Sequence, residues 1–190
     1  NYSSSIEGNT VYSNSVGISG SYYYSGRIAN NLIYGNSNQG IVLDYSSGSA
    51  GSHAQVLNNT IYQSVGDAIR VQNSSSWVEV RNNILWVEAG YAIHVDGTSQ
   101  TGFSSDYNLF QVIGGGKLGR WQNRDFVSRA DWAYELGLDR NSRVGDPQFV
   151  DVDGADNLPG FFDAANDGRD DDFHEQSVHG SSKGGALAPA

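Results

Sequence analysis

The chain repeats a short segment built around an Asn pair, and this repeat constrains the fold more than any other feature. Clear copies are "IANNLIY" (28–34), "VLNNTIY" (56–62) and "VEVRNNILW" (78–86), with weaker copies "IEGNTVY" (6–12) and "SDYNLFQ" (105–111). Measured on the second Asn of each copy, the steps are 22, 28, 24 and 25 residues. A unit this short cannot bury an apolar core alone, so we expect successive units to stack on one another.

A second segment follows each Asn pair after eight or nine residues. It reads "GIS" from 17, "GIVLDY" from 40, "AIRVQN" from 68 and "AIHVDG" from 92. Each copy starts with a small residue and an Ile and then alternates, which is typical of a strand with one buried face. The predicted inward columns are Ile18, Ile41, Ile69 and Ile93, followed by Leu43, Val71 and Val95.

These columns predict an all-β parallel β-helix, in which like strands pair at roughly 4.8 Å along the axis. Asn is a poor strand former, but it tolerates the left-handed backbone of a sharp bend. Its amide can also bond to the Asn of the next coil, so we assign Asn31, Asn59 and Asn83 to a structural Asn ladder. An Asn-rich loop in a β-sandwich would not explain why all the columns agree at once.

The repeats resemble those of right-handed parallel β-helix proteins of the pectate-lyase-like superfamily. The resemblance runs from residue 6 to about 118 and implies a right-handed solenoid of about five coils. The stretch "VIGGGKLGRW" (112–121) reads as one more degenerate coil, with Gly116 and Leu118 at the small-residue and Ile positions.

An irregular cap with one short helix is predicted after the coils. Ser128 is a good N-cap with Asp131 three residues later, and Gly137 suits the C-terminal stop. We therefore predict a helix near 129–136 with Trp132 and Leu136 packed against the coils. The predicted organisation is β-helix coils over 1–118, a cap over 119–179 with acidic loops at 151–172, and a flexible tail over 180–190.

The cap also resembles the end of many secreted bacterial β-helix proteins. The matching residues are "SDYNLF", "ADW", "GLDRNS", "DPQFVDVDG" and "DDFHEQS". In place of the usual "SP-x-x-D-x-G", the chain continues as "SVHGSSKGGALAPA", a form seen in very large multi-domain surface proteins. The resemblance implies an extracellular or cell-surface location and a fragment of a larger chain, whose first coil we expect to meet further β-helix coils or another subunit.

Charge and composition exclude several function classes. The formal net charge is −10, and the eleven basic residues form no run, so binding to nucleic acid or to an anionic membrane surface is not expected. No apolar stretch approaches the roughly 20 residues that membrane insertion needs. There is no Cys, which excludes disulfide bonds.

Two outward-facing columns of the second segments form the candidate site, because residues two apart on a strand share a face. The columns are Ser19, Val42, Arg70 and His94, and beside them Ser21, Asp44, Gln72 and Asp96. Since neighbouring coils lie roughly 4.8 Å apart, Arg70, His94, Asp44 and Asp96 are expected to gather in one exposed patch.

The chemistry of this patch allows more than one reading. The resemblance implies that lyases and epimerases place catalysis on such a face, where a cation neutralises the uronate carboxylate and a base removes a proton. Arg70 and His94 fit those roles, and Asp44 and Asp96 could hold Ca²⁺. The alternatives are glycan or ion contact without catalysis, and a solvated strand face on which opposite charges are mildly stabilising.

A second candidate is a Ca²⁺ site in the acidic loops, because dense carboxylates with Gly turns suit a cation that takes six to eight oxygens. The candidate ligands are Asp151, Asp153, Asp156, Asp167 and Asp170, and the alternative is an acidic surface loop. Trp77, Trp86 and the run Tyr22, Tyr23 and Tyr24 are candidates for sugar stacking or for edge packing.

The sequence thus favours a non-catalytic extracellular module, structural or adhesive, that contacts polysaccharide or cell-surface glycan and is stabilised by Ca²⁺. The alternative is a polysaccharide lyase or epimerase that acts on acidic polysaccharide. An acidic chain is a poor host for a polyanion, which favours the first reading.

Overall fold

A computed structural model describes residues 3–176, so the predicted tail at 180–190 lies outside the described residues. The chain divides into two compact units, residues 1–145 and 146–190. In the described part of the first unit, three strands per turn wind five times into a parallel β-helix. The predicted all-β fold and the number of coils are therefore confirmed.

The first sheet contains one short strand from each coil, each placed just before the Asn corner. Its strands are β1 (Ile6–Glu7), β4 (Arg27–Ala29), β7 (Gln55–Leu57), β10 (Glu79–Arg81) and β13 (Ser104–Asp106). All of them pair in parallel with neighbouring coils, and Ile28 and Val80 both lie beside Val56 in register. These three side chains are fully buried and form one inward column.

The second sheet contains the strands that follow the Asn corner. They are β2 (Thr10–Tyr12), β5 (Leu32–Tyr34), β8 (Thr60–Gln63), β11 (Ile84–Val87), β14 (Leu109–Val112) and the added β17 (Arg143–Val144). Ile33, Ile61 and Leu85 are aligned and fully buried. On the opposite face the rings of Tyr12 and Tyr34 stack at 4.9 Å between centroids.

The third sheet is built from the longer second segments of the repeat. Its strands are β3 (Val16–Ser21), β6 (Gln39–Asp44), β9 (Asp67–Gln72), β12 (Tyr91–Val95), β15 (Lys117–Trp121) and β16 (Arg124–Phe126). β16 pairs with β15 in the antiparallel sense, whereas the other pairs are parallel. The predicted inward columns of Ile and Val or Leu residues are aligned and buried here, which confirms the register from β3 to β12.

The two residues of each Asn pair have different roles. The first has a left-handed backbone, with φ of 56° at Asn30, 54° at Asn58 and 57° at Asn82. The second is buried and forms the predicted ladder. Oδ1 of Asn59 accepts from both N and Nδ2 of Asn31 at 3.0 Å, and Nδ2 of Asn59 donates to Oδ1 of Asn83. The side-chain amides of the ladder also bind backbone N–H and C=O groups at the buried corner, which water cannot reach.

The cap of the first unit ends this ladder and covers the last coil. α1 (Arg129–Leu136) is capped by Ser128, whose Oγ accepts from the N–H of Asp131, and it stops at Gly137 with φ of 74°. Trp132 is fully buried, and its Nε1 donates to the Asp139 carboxylate at 2.9 Å. The same carboxylate accepts from Nδ2 of Asn108, the last rung. The predicted helix, its caps and the packing of Trp132 are confirmed.

The register predicted for the fifth coil is wrong. Gly119, rather than Leu118, lies beside Ile93, and Arg120 lies beside His94. The reason is the cap: a Cβ on Gly119 would lie 2.5 Å from the Trp132 ring, so the indole fills the space that an Ile side chain occupies in the other coils. This places Arg120 in the outward column.

The described part of the second unit, residues 146–176, contains a two-stranded antiparallel ribbon and turn-rich loops. Its strands are β18 (Phe149–Asp151) and β19 (Asp172–Glu175). The rings of Phe149 and Phe173 meet edge to face at 5.3 Å. In residues 3–176 no helix is both long and apolar enough to cross a membrane.

Candidate functional site

The candidate site lies on the outer face of the third sheet. The aligned outward positions from β3 to β15 are Ser19, Val42, Arg70, His94 and Arg120. The structure therefore brings together Arg70 and His94, as the repeat predicts, and adds Arg120 as a third basic residue. In the neighbouring column Ser21, Asp44 and Gln72 are aligned, also as predicted.

A carboxylate that the sequence columns did not indicate links these side chains. Asp67, at the start of β9, is 5% exposed. Its Oδ2 lies 3.1 Å from Nη1 of Arg70 and 3.0 Å from Nδ1 of His94, and its Oδ1 accepts from the N–H of Tyr91 at 3.0 Å. An ionised carboxylate can only accept hydrogen bonds, so Nδ1 of His94 donates the proton. Asp67 thus fixes the positions of both basic side chains.

His94 is not part of an exposed patch, contrary to the expectation from the alternating pattern. It is 8% exposed, and the Tyr91 ring packs edge to face against the imidazole at 5.2 Å between centroids. The Tyr91 hydroxyl in turn accepts from Nη1 of Arg120 at 2.7 Å and donates to Oδ1 of Asp125 at 2.8 Å. An imidazole covered in this way is poorly placed to remove a proton from a bound substrate.

Asp125 binds two basic side chains at the end of this face near β15. Its Oδ2 lies 2.5 Å from Nζ of Lys117, and its Oδ1 lies 3.0 Å from Nη1 of Arg120. The hydrogen bonds from Lys117 and Tyr91 lower the pKa of the Asp125 carboxyl, although slight burial opposes them. Lys117, Arg120 and Tyr91 are therefore held by one ionised carboxylate.

The two remaining candidate carboxylates are also engaged in hydrogen bonds. Oδ1 of Asp44 accepts from Nε2 of Gln72 at 3.2 Å and from Nδ2 of Asn73 at 2.6 Å. Asp96 accepts from the backbone N–H groups of Asn73 and Thr98. Burial raises the pKa of Asp96, but the hydrogen bonds from Asn73 and Thr98 outweigh it and hold the pKa below its usual value. Asp96 therefore orders the corner after β12.

A groove of about 390 Å³ lies on the same face, near β3 and β6. It is lined by Val16, Ser19, Asn38, Gln39, Val42, Asp44, Arg70 and Gln72. Arg70 and Asp44 thus share a concave surface, whereas His94 and Asp96 are not among these described lining residues. The four predicted candidates do not converge on one cleft.

Sequence reasoning missed Arg120 because Trp132 of the cap fills the space above Gly119 and shifts the register of the fifth coil. It missed Asp67 and Tyr91 because of their position at the start of a strand. Strict alternation gives Asp67 the inward parity of Ile69, although the first residue of a strand does not have to follow it. Tyr91 occupies the same position in the next coil, so both residues precede a small residue and an Ile. A polar or aromatic residue at that position is the signal that would have identified them.

The acidic loops of the second unit are held by internal hydrogen bonds. Oδ2 of Asp170 accepts from the N–H groups of Ala155 and Asp156, and Asp167 pairs with Arg169 at 2.9 Å. Burial, together with the neighbouring Asp151 carboxyl, raises the pKa of Asp153. Among residues 3–176, no three acidic or His side chains lie close enough together to hold a metal ion.

The predicted aromatic platforms separate into two groups. Tyr24 is buried at 5% exposure, and Trp86 packs at 5.0 Å against Tyr62, so these rings belong to the packing of the coils. Tyr22, Tyr23 and Trp77 are exposed.

The sequence comparisons agree with this architecture. The family model of the right-handed beta helix region matches residues 1–108, which is more than half of the chain. No curated protein and no solved structure matches the chain significantly. The relation to the pectate-lyase-like superfamily and to large secreted proteins stays a prediction. The aligned strands, the Asn ladder and this match together place the chain in the right-handed beta helix family, to which it belongs.

Proposed function

We propose that this chain is a non-catalytic structural or adhesive module of a larger extracellular protein, and that it contacts polysaccharide or cell-surface glycan through the outer face of the third sheet. The observation that carries this proposal is that the candidate catalytic side chains are already bound to another residue of the chain. Arg70 and His94 both bind Asp67, which is itself buried.

A lyase or epimerase needs groups that are free to act on the substrate. The base must reach the sugar proton, and the cation must approach the uronate carboxylate. Here His94 is covered by Tyr91, and Arg70 already donates to Asp67 and, through Nε, to Gln72 at 2.6 Å. These contacts favour a face that binds without reacting.

The scaffold has the properties of a rigid spacer. Each coil pairs with the next in three sheets, and the buried Asn ladder adds hydrogen bonds from coil to coil. A solenoid of this kind presents an extended and stiff surface, which suits adhesion or spacing better than a mobile active site.

The strands of the first coil form the proposed contact with a partner. β1, β2 and β3 end their sheets, so each has one edge without a partner strand among the described residues. Exposed edges of this kind are sites for strand addition. A further β-helix coil or another subunit is therefore proposed to pair with them.

Ca²⁺ is proposed to stabilise the second unit by drawing together carboxylates of the acidic loops, since among residues 3–176 no three acidic or His side chains already lie close enough together to hold a metal ion. Asp151 and Asp153 lie close enough to interact, and like charges at this distance disfavour ionisation. In the described loops Oδ2 of Asp156 is buried without a hydrogen-bond partner. A cation that takes oxygen ligands would relieve both features.

The function is tested by two measurements on the same protein. Polyuronates and glycosaminoglycans are incubated with the protein in Ca²⁺ or in chelator, and ultraviolet absorbance reports unsaturated products. The same preparation is applied to an array of bacterial and plant glycans. We expect no unsaturated product and a reproducible set of bound glycans. A Ca²⁺-dependent lyase signal that is lost in a folded His94→Ala variant would overturn the non-catalytic assignment.

A further inference from the structure

Two tyrosines at one corner of the solenoid are exposed although they stack on each other. The rings of Tyr22 and Tyr45 lie 5.9 Å apart between centroids and are inclined by only 10°. Tyr22 is 66% exposed and Tyr45 is 48% exposed. Because the rings stack on each other, the part of the pair that faces solvent consists of ring edges and outward ring faces, and burying this aromatic surface against a ligand is favourable.

The backbone at this corner is costly for an aromatic residue. Tyr22 and Tyr45 both have φ of 51°, in the left-handed region that bulky side chains rarely adopt. In the next coil the same corner position, directly after Gln72, is Asn73 with φ of 55°. Asn fits this conformation with less strain, so the fold of the corner does not require the rings. Strain of this kind is concentrated at functional sites.

The aromatic pair directly follows two aligned residues on the outer face of the third sheet, Ser21 and Asp44. Asp44 also lines the groove of about 390 Å³, together with Arg70. Oδ2 of Asp44 and Nη2 of Arg70 make no hydrogen bond with the described residues, whereas their other polar atoms are held in place. The groove thus offers one oriented acceptor and one oriented donor, and its volume is within the range of small-ligand sites.

We propose that this corner and groove form a binding site for a pyranose unit of a neutral oligosaccharide. The apolar C–H face of the sugar packs against the solvent-exposed side of the Tyr22–Tyr45 pair, and its hydroxyl groups bind Asp44 Oδ2 and Arg70 Nη2. The proposal rests on the proposed function, since it names the glycan class and the place of contact.

A neutral sugar fits the charges better than a uronate does. The positive charge of Arg70 is already balanced by Asp67 at 3.1 Å, and Asp44 adds a carboxylate to the groove wall. The net charge of −10 on the whole chain would further repel a polyanion. Hydroxyl groups, in contrast, both donate to a carboxylate and accept from a guanidinium.

Isothermal titration with a defined panel tests this site. The neutral probes are the hexaoses of cellulose, xylan, mannan, laminarin and starch, and the acidic probe is a galacturonate oligomer. We expect at least one neutral hexaose to bind the wild-type protein. Its Kd should rise at least tenfold in the double variant Tyr22→Asn and Tyr45→Asn, which keeps a residue suited to the left-handed corner.

Tyr107→Asn is the matched control. Tyr107 is 50% exposed and has φ of 61°, but it lies at the Asn corner before β14 and contacts Arg81. Its replacement should change the Kd less than twofold. Equal binding by the double variant, or binding of the acidic probe alone, would overturn the neutral-sugar site while glycan contact stands. Binding of neither class here or on the glycan array would also remove the proposed function.

Discussion

Oδ2 of Asp67 lies 3.0 Å from Nδ1 of His94, and this contact joins β9 to β12 beneath the outer face of the third sheet. The same oxygen lies 3.1 Å from Nη1 of Arg70. One buried carboxylate therefore determines the orientation of both basic side chains that the sequence offers as catalytic candidates.

Asp67→Asn should destabilise the protein by about 2 kcal/mol or more, because it leaves Arg70 and His94 facing an amide that cannot accept from both in the same way. Urea denaturation followed by circular dichroism measures the change. Asp125→Asn is the control, since Asp125 is more exposed and holds Lys117 and Arg120 near the surface, where ion pairs contribute little. Equal effects of both variants would contradict the structural role of Asp67.

Removing an Asn from the buried part of the ladder should destabilise the protein more than removing one from its exposed end. Asn59→Ala deletes an acceptor for Asn31 and a donor to Ile28 and Asn83, and leaves buried backbone groups without partners. We expect a loss on the order of 3 kcal/mol in the free energy of unfolding. Asn9→Ala, at the exposed end of the same ladder, should cost clearly less. Similar urea midpoints for the two variants would argue against the ladder as a source of stability.

The repeat could be predicted from sequence because each coil places the same residue type at the same backbone position. Asn31, Asn59 and Asn83 were identified on that basis, and so were the inward columns. The burial of His94 could not be predicted, because it depends on the Tyr91 ring packing across the strand. The place of Arg120 depends on Trp132, which is distant in sequence and fills the space above Gly119. Local periodicity contains no information about such contacts.

Gly119 should not tolerate a side chain. A Cβ would lie 2.5 Å from the Trp132 ring, which is fully buried and held by Asp139, so Gly119→Ala must displace the indole. We expect a destabilisation of roughly 1–3 kcal/mol, as for other overpacked cores, and a change in tryptophan fluorescence. Gly97→Ala is the matched control, since its Cβ would meet no atom within 4 Å. A neutral Gly119→Ala variant would show that the cap is loosely packed.

The first unit should lose stability in acid partly through Asp106. Burial raises the pKa of this carboxyl, but hydrogen bonds from the side chain and the N–H of Asn141 outweigh it and lower the pKa. Because the pKa of Asp106 is lower in the folded state than in the unfolded state, its carboxylate stabilises the fold fully above the unfolded-state pKa of about 3.9. This stabilisation is lost as the pH falls through the folded-state pKa.

Urea midpoints measured from neutral pH down into acid test this assignment. Asp106→Asn should be less stable than the wild type at neutral pH, and its stability should fall less on acidification. Asn141→Ala should flatten the curve less than Asp106→Asn does, because it removes the 2.7 Å side-chain hydrogen bond but keeps the carboxylate and the backbone N–H of residue 141 that also lowers its pKa. Parallel pH curves for all three proteins would exclude Asp106 as the titrating group.

Ca²⁺ should stabilise the second unit, and Asp153 provides the sharpest test. Burial and the Asp151 carboxyl raise the pKa of Asp153, so its ionised form opposes folding at neutral pH. Asp153→Asn should therefore raise thermal stability in chelator and abolish the further increase that Ca²⁺ gives the wild type. Asp163→Asn is the control, because Asp163 binds Ala165 and Asn166 and lies outside the proposed ligand set. Identical wild-type melting curves in Ca²⁺ and in chelator would refute the proposed site, and the Asp153→Asn gain in chelator would then reflect relief of carboxylate repulsion alone.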